Sequence, residues 1–509
     1  MGPFGFFASG FRYFLIVSLL AAFLFSCDND DEPPVPEVTA INPSSALPNT
    51  MISITGKSFS HIFSENKVSF NGKDALVSNA SSTQLTVVVP EEVETGPVVV
   101  TVRGKTAVNQ MIFTVLPFPA EIFNITPSTG GYNTEVTITG SNFFSSPEDN
   151  VVTFNGVPGI VTAASATSLT VKVPARAGSG VVIVNGVPAA VEFNYVPEVF
   201  VAGYLTDASG TARAAYWKNG VPTVLTTTGE HTFANDIAIV NDDVYVVGYR
   251  LKSNGSPMAR WWKNGTEMPL TSDVYYSVAQ SIVVTENDVY IAGYESISNG
   301  KSVARYWKNG TPVDLSDGST VAFAGDIVVH GENVYVGGYL SDASGNAKAT
   351  YWKDGVANIL TTGVSFIWGL FVSGNDVYST GSIRNTGPGS SFVSYWKNDH
   401  AVYLGPGLRG GEGWDIAVVE NDVYVAGFEQ NSKFVTLAKY WKNGDPVILS
   451  DGASDAFGYA IDVLGQDVYV AGTENNSAGY AVAKYWKNGV PIALTDGGNH
   501  GLATAIVLR

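Results

Sequence analysis

A tryptophan that recurs at almost constant spacing constrains the fold of this chain more than any other feature. Successive copies are 45 residues apart in every case but one, where the interval is 44. Each copy lies in a segment that reads Tyr-Trp-Lys-Asn-Gly or a close variant of it. The seven positions are Trp217, Trp262, Trp307, Trp352, Trp396, Trp441 and Trp486. The region from 198 to 509 is therefore built from one repeated unit.

One repeat unit contains four short segments rich in β-branched and aromatic residues, at 237–240, 244–249, 259–262 and 266–270. Turn-forming residues separate them, and Asn264-Gly265 predicts a type I′ hairpin between the third and fourth segments. Four strands in a repeat of about 45 residues are typical of the blades of a β-propeller. The sequence therefore predicts seven blades.

The two ends of the repeat region predict how the blades close into a ring. The first copy begins at 198–201, which corresponds to the second strand of a unit, and its first strand is missing. The last segment, 503–509, corresponds to a first strand with nothing after it. The two fragments complete one blade, so we expect the C-terminal strand to pair there and leave no long free edge. A superhelical array of seven units is the alternative, but it does not explain the split blade.

A residue that the architecture needs in every blade is expected to pack between neighbouring sheets. We therefore interpret the repeated tryptophans as core residues and not as a binding surface. The lysine that follows each of them is expected to be solvated at the edge of its blade.

Residues 37–197 contain a duplication in which matching residues lie 84 positions apart. Apolar residues alternate within each copy, which predicts strands with one buried face. About seven short strands in 80 residues fit an immunoglobulin-like sandwich, and we place the two sandwiches at 37–116 and 117–197. The matching pairs include Pro43 and Pro127, Gly56 and Gly140, Phe59 and Phe143, Phe70 and Phe154, and Pro90 and Pro174.

Both copies resemble the IPT/TIG family, whose pattern is I-x-P, then a Gly, then G-x-x-F, then F-N-G. The first copy lacks the early glycine, whereas the second keeps the whole pattern in Pro127, Gly130, Gly140, Phe143, Phe154, Asn155 and Gly156. The resemblance implies spacer or interaction modules, so we expect two rigid beads in a stalk. Together, these patterns predict an all-β chain with two tandem sandwiches followed by a seven-bladed β-propeller at 198–509.

Residues 1–26 have the features of a targeting segment, with Arg12 ahead of an apolar run that is short for a membrane span. The run ends in Leu24-Phe25-Ser26-Cys27, which resembles the bacterial lipobox, although Phe25 replaces the usual small residue. Cys27 is the single cysteine of the chain, so no internal disulfide accounts for it. We expect Cys27 to be lipidated. An ordinary signal peptide followed by an incidental cysteine is the alternative.

The linker at 27–36 is acidic and then rich in proline, which makes a stiff spacer. The acidic cluster after the cysteine resembles the surface-export signal of Bacteroidetes lipoproteins, and a merely solvated linker is the alternative. We therefore expect a protein that is lipid-anchored in the outer membrane and faces the extracellular side. The net charge of −18 argues against a nucleic-acid partner.

The seven copies differ at the position two residues before the first isoleucine or leucine of each unit. There the sequence reads Asn235, Gln280, Gly325, Trp368, Trp414, Tyr459 and Thr504, so three adjacent blades carry large aromatics. Three phenylalanines in the same predicted loops, with Arg409 and Glu412, complete a candidate ligand-binding patch; the phenylalanines are Phe323, Phe366 and Phe457. Such rings stack on sugars or anchor a protein partner. The alternative is that they plug a central channel.

Signals for catalysis or metal binding are weak. The five histidines fall in different parts of the repeat, and no nucleophile or zinc-site motif occurs. The loops at Asp207 and Asp342 look superficially like calcium loops, but such residues are also common turn formers, and we favour turns. Glu412 and Asp415 are weak candidates for a glycosidase acid and base, because their separation cannot be read from sequence. We therefore predict no catalytic residue, cofactor or metal.

The sequence thus favours a cell-surface lipoprotein that binds without catalysis, with a polysaccharide or oligosaccharide as the first choice of ligand. A scaffold for protein interaction or adhesion, with a surface protein as partner, is the second interpretation. A polysaccharide lyase or glycoside hydrolase is the third, since seven-bladed propellers host such enzymes.

Overall fold

The computed structural model describes residues 34–509 except 227–228, 273, 298–299, 362, 385–390 and 406–409. In this part the chain is built from strands, with two short 3₁₀ helices at Phe63–Glu65 and Pro147–Asp149 and no α-helix. No helix among the described residues is long and apolar enough to cross a membrane. The predicted targeting segment, Cys27 and most of the linker lie outside the described residues. The chain divides into two compact units after Phe118.

The first unit is a sandwich with a core of alternating apolar residues. Phe70 and Phe113 meet edge to face in this core, with ring centroids 5.1 Å apart. Its strands are β1 (Glu37–Asn42), β2 (Ser45–Ala46), β3 (Met51–Lys57), β4 (Asn66–Phe70), β5 (Lys73–Ala80), β6 (Gln84–Val88), β7 (Gly96–Val102), β8 (Lys105–Thr106) and β9 (Met111–Val115). They pair in the order β1-β3-β6-β5-β4-β7-β9-β2, and β8 pairs with β7.

The second unit begins with a sandwich of the same design, in which Phe154 and Phe193 repeat the edge-to-face contact at 5.1 Å. Its strands are β10 (Glu121–Thr126), β11 (Thr129–Gly130), β12 (Glu135–Ser141), β13 (Val152–Phe154), β14 (Val157–Pro158), β15 (Ile160–Ser165), β16 (Ser168–Lys172), β17 (Gly180–Val184) and β18 (Val187–Tyr195). Two sheets result, β10-β12-β16-β15 and β11-β18-β17-β13-β14.

The rest of the second unit consists of seven four-stranded antiparallel sheets, here called blades 1 to 7. Blade 1 has β19 (Val199–Thr206), β20 (Ala212–Lys218), β21 (Val221–Val224) and the last strand of the chain, β46 (Gly501–Leu508). Blade 2 has β22 (Thr232–Val240), β23 (Asp243–Leu251), β24 (Pro257–Lys263) and β25 (Thr266–Pro269). Blade 3 has β26 (Ser277–Val284), β27 (Val289–Ser296), β28 (Ser302–Lys308) and β29 (Thr311–Asp314).

The remaining four blades follow the same order of strands. Blade 4 has β30 (Ala322–His330), β31 (Asn333–Ser341), β32 (Ala347–Lys353) and β33 (Val356–Ile359). Blade 5 has β34 (Ser365–Ser373), β35 (Asp376–Arg384), β36 (Ser391–Lys397) and β37 (His400–Tyr403). Blade 6 has β38 (Gly411–Val419), β39 (Asp422–Gln430), β40 (Thr436–Lys442) and β41 (Asp445–Ile448). Blade 7 has β42 (Ala456–Leu464), β43 (Asp467–Asn475), β44 (Ala481–Lys487) and β45 (Val490–Ala493).

The blades form a closed ring. The innermost strand of each blade contacts the innermost strands of both neighbours, and β46 supplies that strand in blade 1. β46 pairs with β19 so that Val199 faces Leu508 and Val201 faces Ile506, which confirms the predicted closure by the C-terminal strand. A closed ring of seven four-stranded sheets is the arrangement expected of the predicted seven-bladed propeller.

The seven repeated tryptophans are core residues, as predicted, because each is at most 2% exposed. Trp262 of blade 2, for example, packs with Phe200 and Ala214 of blade 1. The Asn-Gly hairpins have positive φ at both residues, as at Asn264 and Gly265, which is the backbone of a type I′ turn. The repeated tryptophan therefore serves to hold each blade against the preceding one.

The lysine that follows each tryptophan is half exposed but also has partners, which the sequence did not predict. In blade 2, Lys263 Nζ lies 2.7 Å from Asp243 Oδ2 and stands over the ring of Tyr245, at 5.0 Å from its centroid. Blades 3, 5, 6 and 7 repeat both contacts. The Asp-Val-Tyr segment in the second strand of these blades is the signal for this contact.

The innermost strands are longer than the sequence suggested, which corrects the placement of the candidate site. In blade 2 the predicted first strand covered 237–240, whereas β22 begins at Thr232. The strand continues through Asn235, which has no partner in the register because a β-bulge lies between Ala234 and Asp236. The same bulge recurs in the innermost strand of every blade. Glu412 and the candidate aromatics thus lie on strands and not in loops.

The second sandwich packs against the ring, a contact that the expectation of two rigid beads in a stalk did not include. Arg176 binds Asp462 of blade 7 with both guanidinium ends, at 2.7 and 2.8 Å, and also donates to the carbonyl oxygens of Val463 and Leu508. The side chain of Arg509 stands over the ring of Tyr132 in the sandwich, 4.5 Å from its centroid. These contacts fix the sandwich to the ring at the blade 7 and blade 1 boundary.

Candidate functional site

The seven bulge residues line one cavity on the axis of the ring. A bulge disrupts the alternation of a strand and turns the side chain of its extra residue to a new direction. Here every innermost strand carries its bulge at the same place, so seven side chains converge. The cavity, which we call the axial cavity, has a volume of about 450 Å³ and is lined by Asn235, Gln280, Phe323, Gly325, Trp368, Glu412, Trp414, Tyr459, Leu502 and Thr504.

Trp368, Trp414 and Tyr459 are brought together on one side of the axial cavity, as the sequence predicted for adjacent blades. The rings of Trp414 and Tyr459 lie 4.5 Å apart at an angle of 54°. All three side chains are partly exposed, so their rings wall the cavity without filling it. The arrangement offers aromatic faces to a ligand inside the ring.

The three candidate phenylalanines support this wall from the position two residues before the bulge. Phe366 stacks on Trp368 with centroids 5.8 Å apart, and Phe457 stacks on Tyr459 at the same distance. Phe323 meets Trp368 edge to face at 5.4 Å and lines the axial cavity itself. Packing of this kind holds the rings in place before any ligand arrives.

Glu412 lies among these rings and lines the axial cavity. Burial raises the pKa of its carboxyl group, and the positive charge of Arg384 and the neighbouring indole of Trp414 oppose that rise. Arg384 is positioned over the ring of Phe366, 4.9 Å from its centroid. Arg409, the other polar candidate, lies outside the described residues.

Three aspartates directly follow bulge residues and link neighbouring blades below the cavity lining. Asp415 accepts the backbone N–H groups of Ile416 in its own blade and of Ile461 in the next, at 2.7 and 2.8 Å. Asp236 and Asp326 make the same pair of contacts in their own blades and in the following ones. Sequence reasoning missed this function of the three aspartates. The signal was an aspartate at the same place in three repeats.

Ser281 lies between two of these carboxyl groups, with its Oγ 2.9 Å from Asp236 Oδ2 and 2.7 Å from Asp326 Oδ1. A hydroxyl carries one proton and can donate to one of them at a time. The second short contact therefore needs a proton on one of the carboxyls. Burial raises the pKa of Asp326 to about 7 and also raises the pKa of Asp236. Burial and the nearby Asp326 raise the pKa of Asp415 well above its usual range.

The weak candidates for catalysis and calcium binding have structural contacts. Asp415 accepts backbone N–H groups with both of its carboxylate oxygens, so its side chain links two blades. In the loop at Asp207, one carboxylate oxygen accepts the N–H groups of Ser209 and Thr211. Asp342 makes the equivalent turn contacts. Both loops thus have the turn hydrogen bonds that we favoured.

The chain is similar to several solved structures, all at low identity. A structural genomics protein of unknown function from Bacteroides thetaiotaomicron is 15% identical, over 72% of this chain and 98% of that one, with a TM-score of 0.43. A puromycin-hydrolyzing peptidase from Mycobacterium tuberculosis is 10% identical, over 58% of this chain and 53% of that one, with a TM-score of 0.39. A surface glycan-binding protein from Prevotella bryantii is 19% identical, over 31% of this chain and 42% of that one, with a TM-score of 0.25.

No curated protein matches the chain. A family model matches the two sandwiches at residues 36–118 and 120–196, and it describes the IPT/TIG domain. These two segments carry the residue pairs 84 positions apart that predicted the resemblance. Both sandwiches are thus similar to the IPT/TIG domain family.

Proposed function

We propose that the ring binds a glycan in the axial cavity and acts as a non-catalytic binding protein at the cell surface. The observation that carries the proposal is the wall of Trp368, Trp414 and Tyr459. Aromatic rings stack on the apolar faces of sugar rings, and the amides of Asn235 and Gln280 provide hydrogen-bonding groups in the same cavity.

The shape of the site favours a small ligand over a flat protein partner. The volume of about 450 Å³ lies within the range of cavities that hold small molecules. The residues that line it belong to the innermost strands and not to the outer faces of the blades. A protein partner would have to insert a side chain or a loop to reach the same rings.

Isothermal titration against a panel of polysaccharides and oligosaccharides tests the proposal. The variant in which Trp368, Trp414 and Tyr459 are all replaced by Ala should lose binding by at least tenfold. Tyr403→Ala is the matched control, since Tyr403 is an exposed aromatic on the outermost strand of blade 5. Unchanged affinity in the folded triple variant would exclude the axial cavity as the binding site.

We further propose that Cys27 carries a lipid that anchors the protein in the outer membrane. In the sequence Cys27 follows an apolar run with the features of a targeting segment and precedes an acidic cluster. Growth of expressing cells with labelled palmitate should label the protein, and Cys27→Ser should abolish the label. A labelled Cys27→Ser variant would contradict the anchor.

A further inference from the structure

Glu412 occupies a position at which the other blades place apolar side chains. The equivalent position in each blade is the residue two before the bulge, and in three blades this residue lines the axial cavity. These residues are Phe233, Val278, Phe323, Phe366, Glu412, Phe457 and Leu502. Six of the seven are apolar, so the architecture does not require a carboxylate in blade 6.

The carboxylate of Glu412 is costly where it lies. Aromatic residues of blade 5 and blade 7 flank it, and burial raises its pKa. The positive charge of Arg384 and the indole of Trp414 offset part of that burial, but the guanidinium of Arg384 lies over the ring of Phe366. A charged group taken from water destabilises the folded protein when its partners offset only part of the cost of burial, and the raised pKa of Glu412 indicates this. A phenylalanine, as in the neighbouring blades, would avoid that cost.

The surroundings of Glu412 favour a cation. Among the described residues that line the axial cavity, Glu412 is the single charged side chain and no lysine, arginine or histidine occurs. Ammonium groups bind to the faces of aromatic rings, most strongly to tryptophan, and a carboxylate beside the rings adds a direct ionic contact. Trp414 and Tyr459, with Glu412 next to them, provide both kinds of contact.

We propose that the axial cavity recognises the protonated amino group of an amino sugar. The inference rests on the proposed glycan binding and names the class of sugar. The ammonium group would pair with the Glu412 carboxylate, while the sugar ring stacks on Trp414 or Trp368. N-acetylation removes the positive charge of the amine, so the acetylated sugar should bind less tightly.

Isothermal titration with three oligosaccharides of equal length tests this inference. The probes are a β-1,4 glucosamine hexamer, the N-acetylglucosamine hexamer and cellohexaose, each at pH 6. We expect the glucosamine hexamer to bind at least tenfold more tightly than the other two. Glu412→Gln should remove that preference and keep the weaker binding of the neutral probes. Glu332→Gln, at an exposed acid on a hairpin of blade 4, is the matched control.

The outcomes separate the inference from the proposed function. Equal binding of the three hexamers, or a preference that persists in Glu412→Gln, overturns the ammonium site and leaves glycan binding in place. Failure of these hexamers and of the wider polysaccharide panel to bind overturns both. Thermal unfolding of each variant shows whether a lost signal comes from a lost fold.

Discussion

The indole of Trp414 and the phenol of Tyr459 come from different blades, yet their ring centroids lie 4.5 Å apart. The contact crosses the boundary between two sheets at their innermost strands. It therefore belongs to the candidate site and also to the packing of blade 6 on blade 7. The contribution of this contact to stability can be measured without any ligand.

We expect the two rings to be coupled in stability. Aromatic pairs contribute about 0.5–1.5 kcal/mol beyond the area that they bury. Trp414→Ala, Tyr459→Ala and the double variant form a cycle in which the free energy of unfolding is measured with urea. The double variant should be less destabilised than the sum of the singles by that amount. A strictly additive cycle would show that the rings do not support each other.

We expect substitutions of Trp352 and Trp368 to have different main effects. The first should mainly lower the free energy of unfolding, and the second should mainly weaken ligand binding. Trp352 is 1% exposed and packs with Tyr290 and Ala304 of blade 3, so Trp352→Ala should cost about 3–5 kcal/mol of unfolding free energy. Trp368 is partly exposed to the axial cavity, so Trp368→Ala should cost less and should weaken ligand binding more. Urea denaturation gives the free energy of unfolding of each variant, and isothermal titration gives its ligand affinity. A larger loss of stability for Trp368→Ala would contradict the assignment of scaffold and site.

The pKa of Asp326 predicts that the ring is more stable at pH 5 than at pH 8. Folding raises this pKa to about 7, so between its unfolded value of about 3.9 and pH 7 the folded state holds more protons than the unfolded state. Stability therefore falls as the pH rises through that window. Asp236 and Asp415 shift in the same direction and add to the slope.

Urea midpoints measured from pH 5 to pH 8 check this prediction. Asp326→Asn removes one titrating group and should flatten the decrease, while Glu332→Gln at an exposed position should leave it unchanged. A stability that rises with pH in the wild type would mean that the three carboxylates are charged in the folded ring.

The contacts of Arg176 should contribute measurably to the docking of the second sandwich on the ring. Its bidentate contact with Asp462 and its two bonds to carbonyl oxygens should contribute about 1–3 kcal/mol to the docking. Arg176→Ala should speed hydrogen exchange in the strand Val187–Tyr195. Arg176→Lys should give an exchange rate between those of the wild type and Arg176→Ala, because lysine cannot form the bidentate contact with a carboxylate. Arg103→Ala, which breaks an exposed ion pair with Glu65 in the first sandwich, is the control. Exchange that is unaffected by Arg176→Ala would show that apolar packing alone holds the sandwich.

Local patterns in the sequence predicted the strands, the blade number and the closure, because each depends on short-range periodicity or on counting repeats. The bulges were missed for a physical reason. An extra residue breaks the alternation on which strand prediction depends, so Asn235 and Asp236 read as a loop before Ile237. The contact of Arg176 with Asp462 joins residues 286 positions apart, and no local pattern encodes it. The candidate aromatics could be predicted because the seven repeats differ at one shared position. The blade-linking aspartates were missed because their shared position in three repeats was not compared.

The pairing of β19 with β46 has a consequence for how the chain acquires its fold. Thr504 Oγ1 donates to the carbonyl oxygen of Ala202, 302 residues earlier. On a ribosome, blade 1 therefore waits with an open inner edge while blades 2 to 7 are made. A chain exported as an unfolded polypeptide would meet the same delay after transport. Bringing such distant partners together is slow, and an exposed edge strand can pair with another chain in the meantime. The step most sensitive to chaperones and to concentration should therefore be the joining of the ring and not the folding of any single blade.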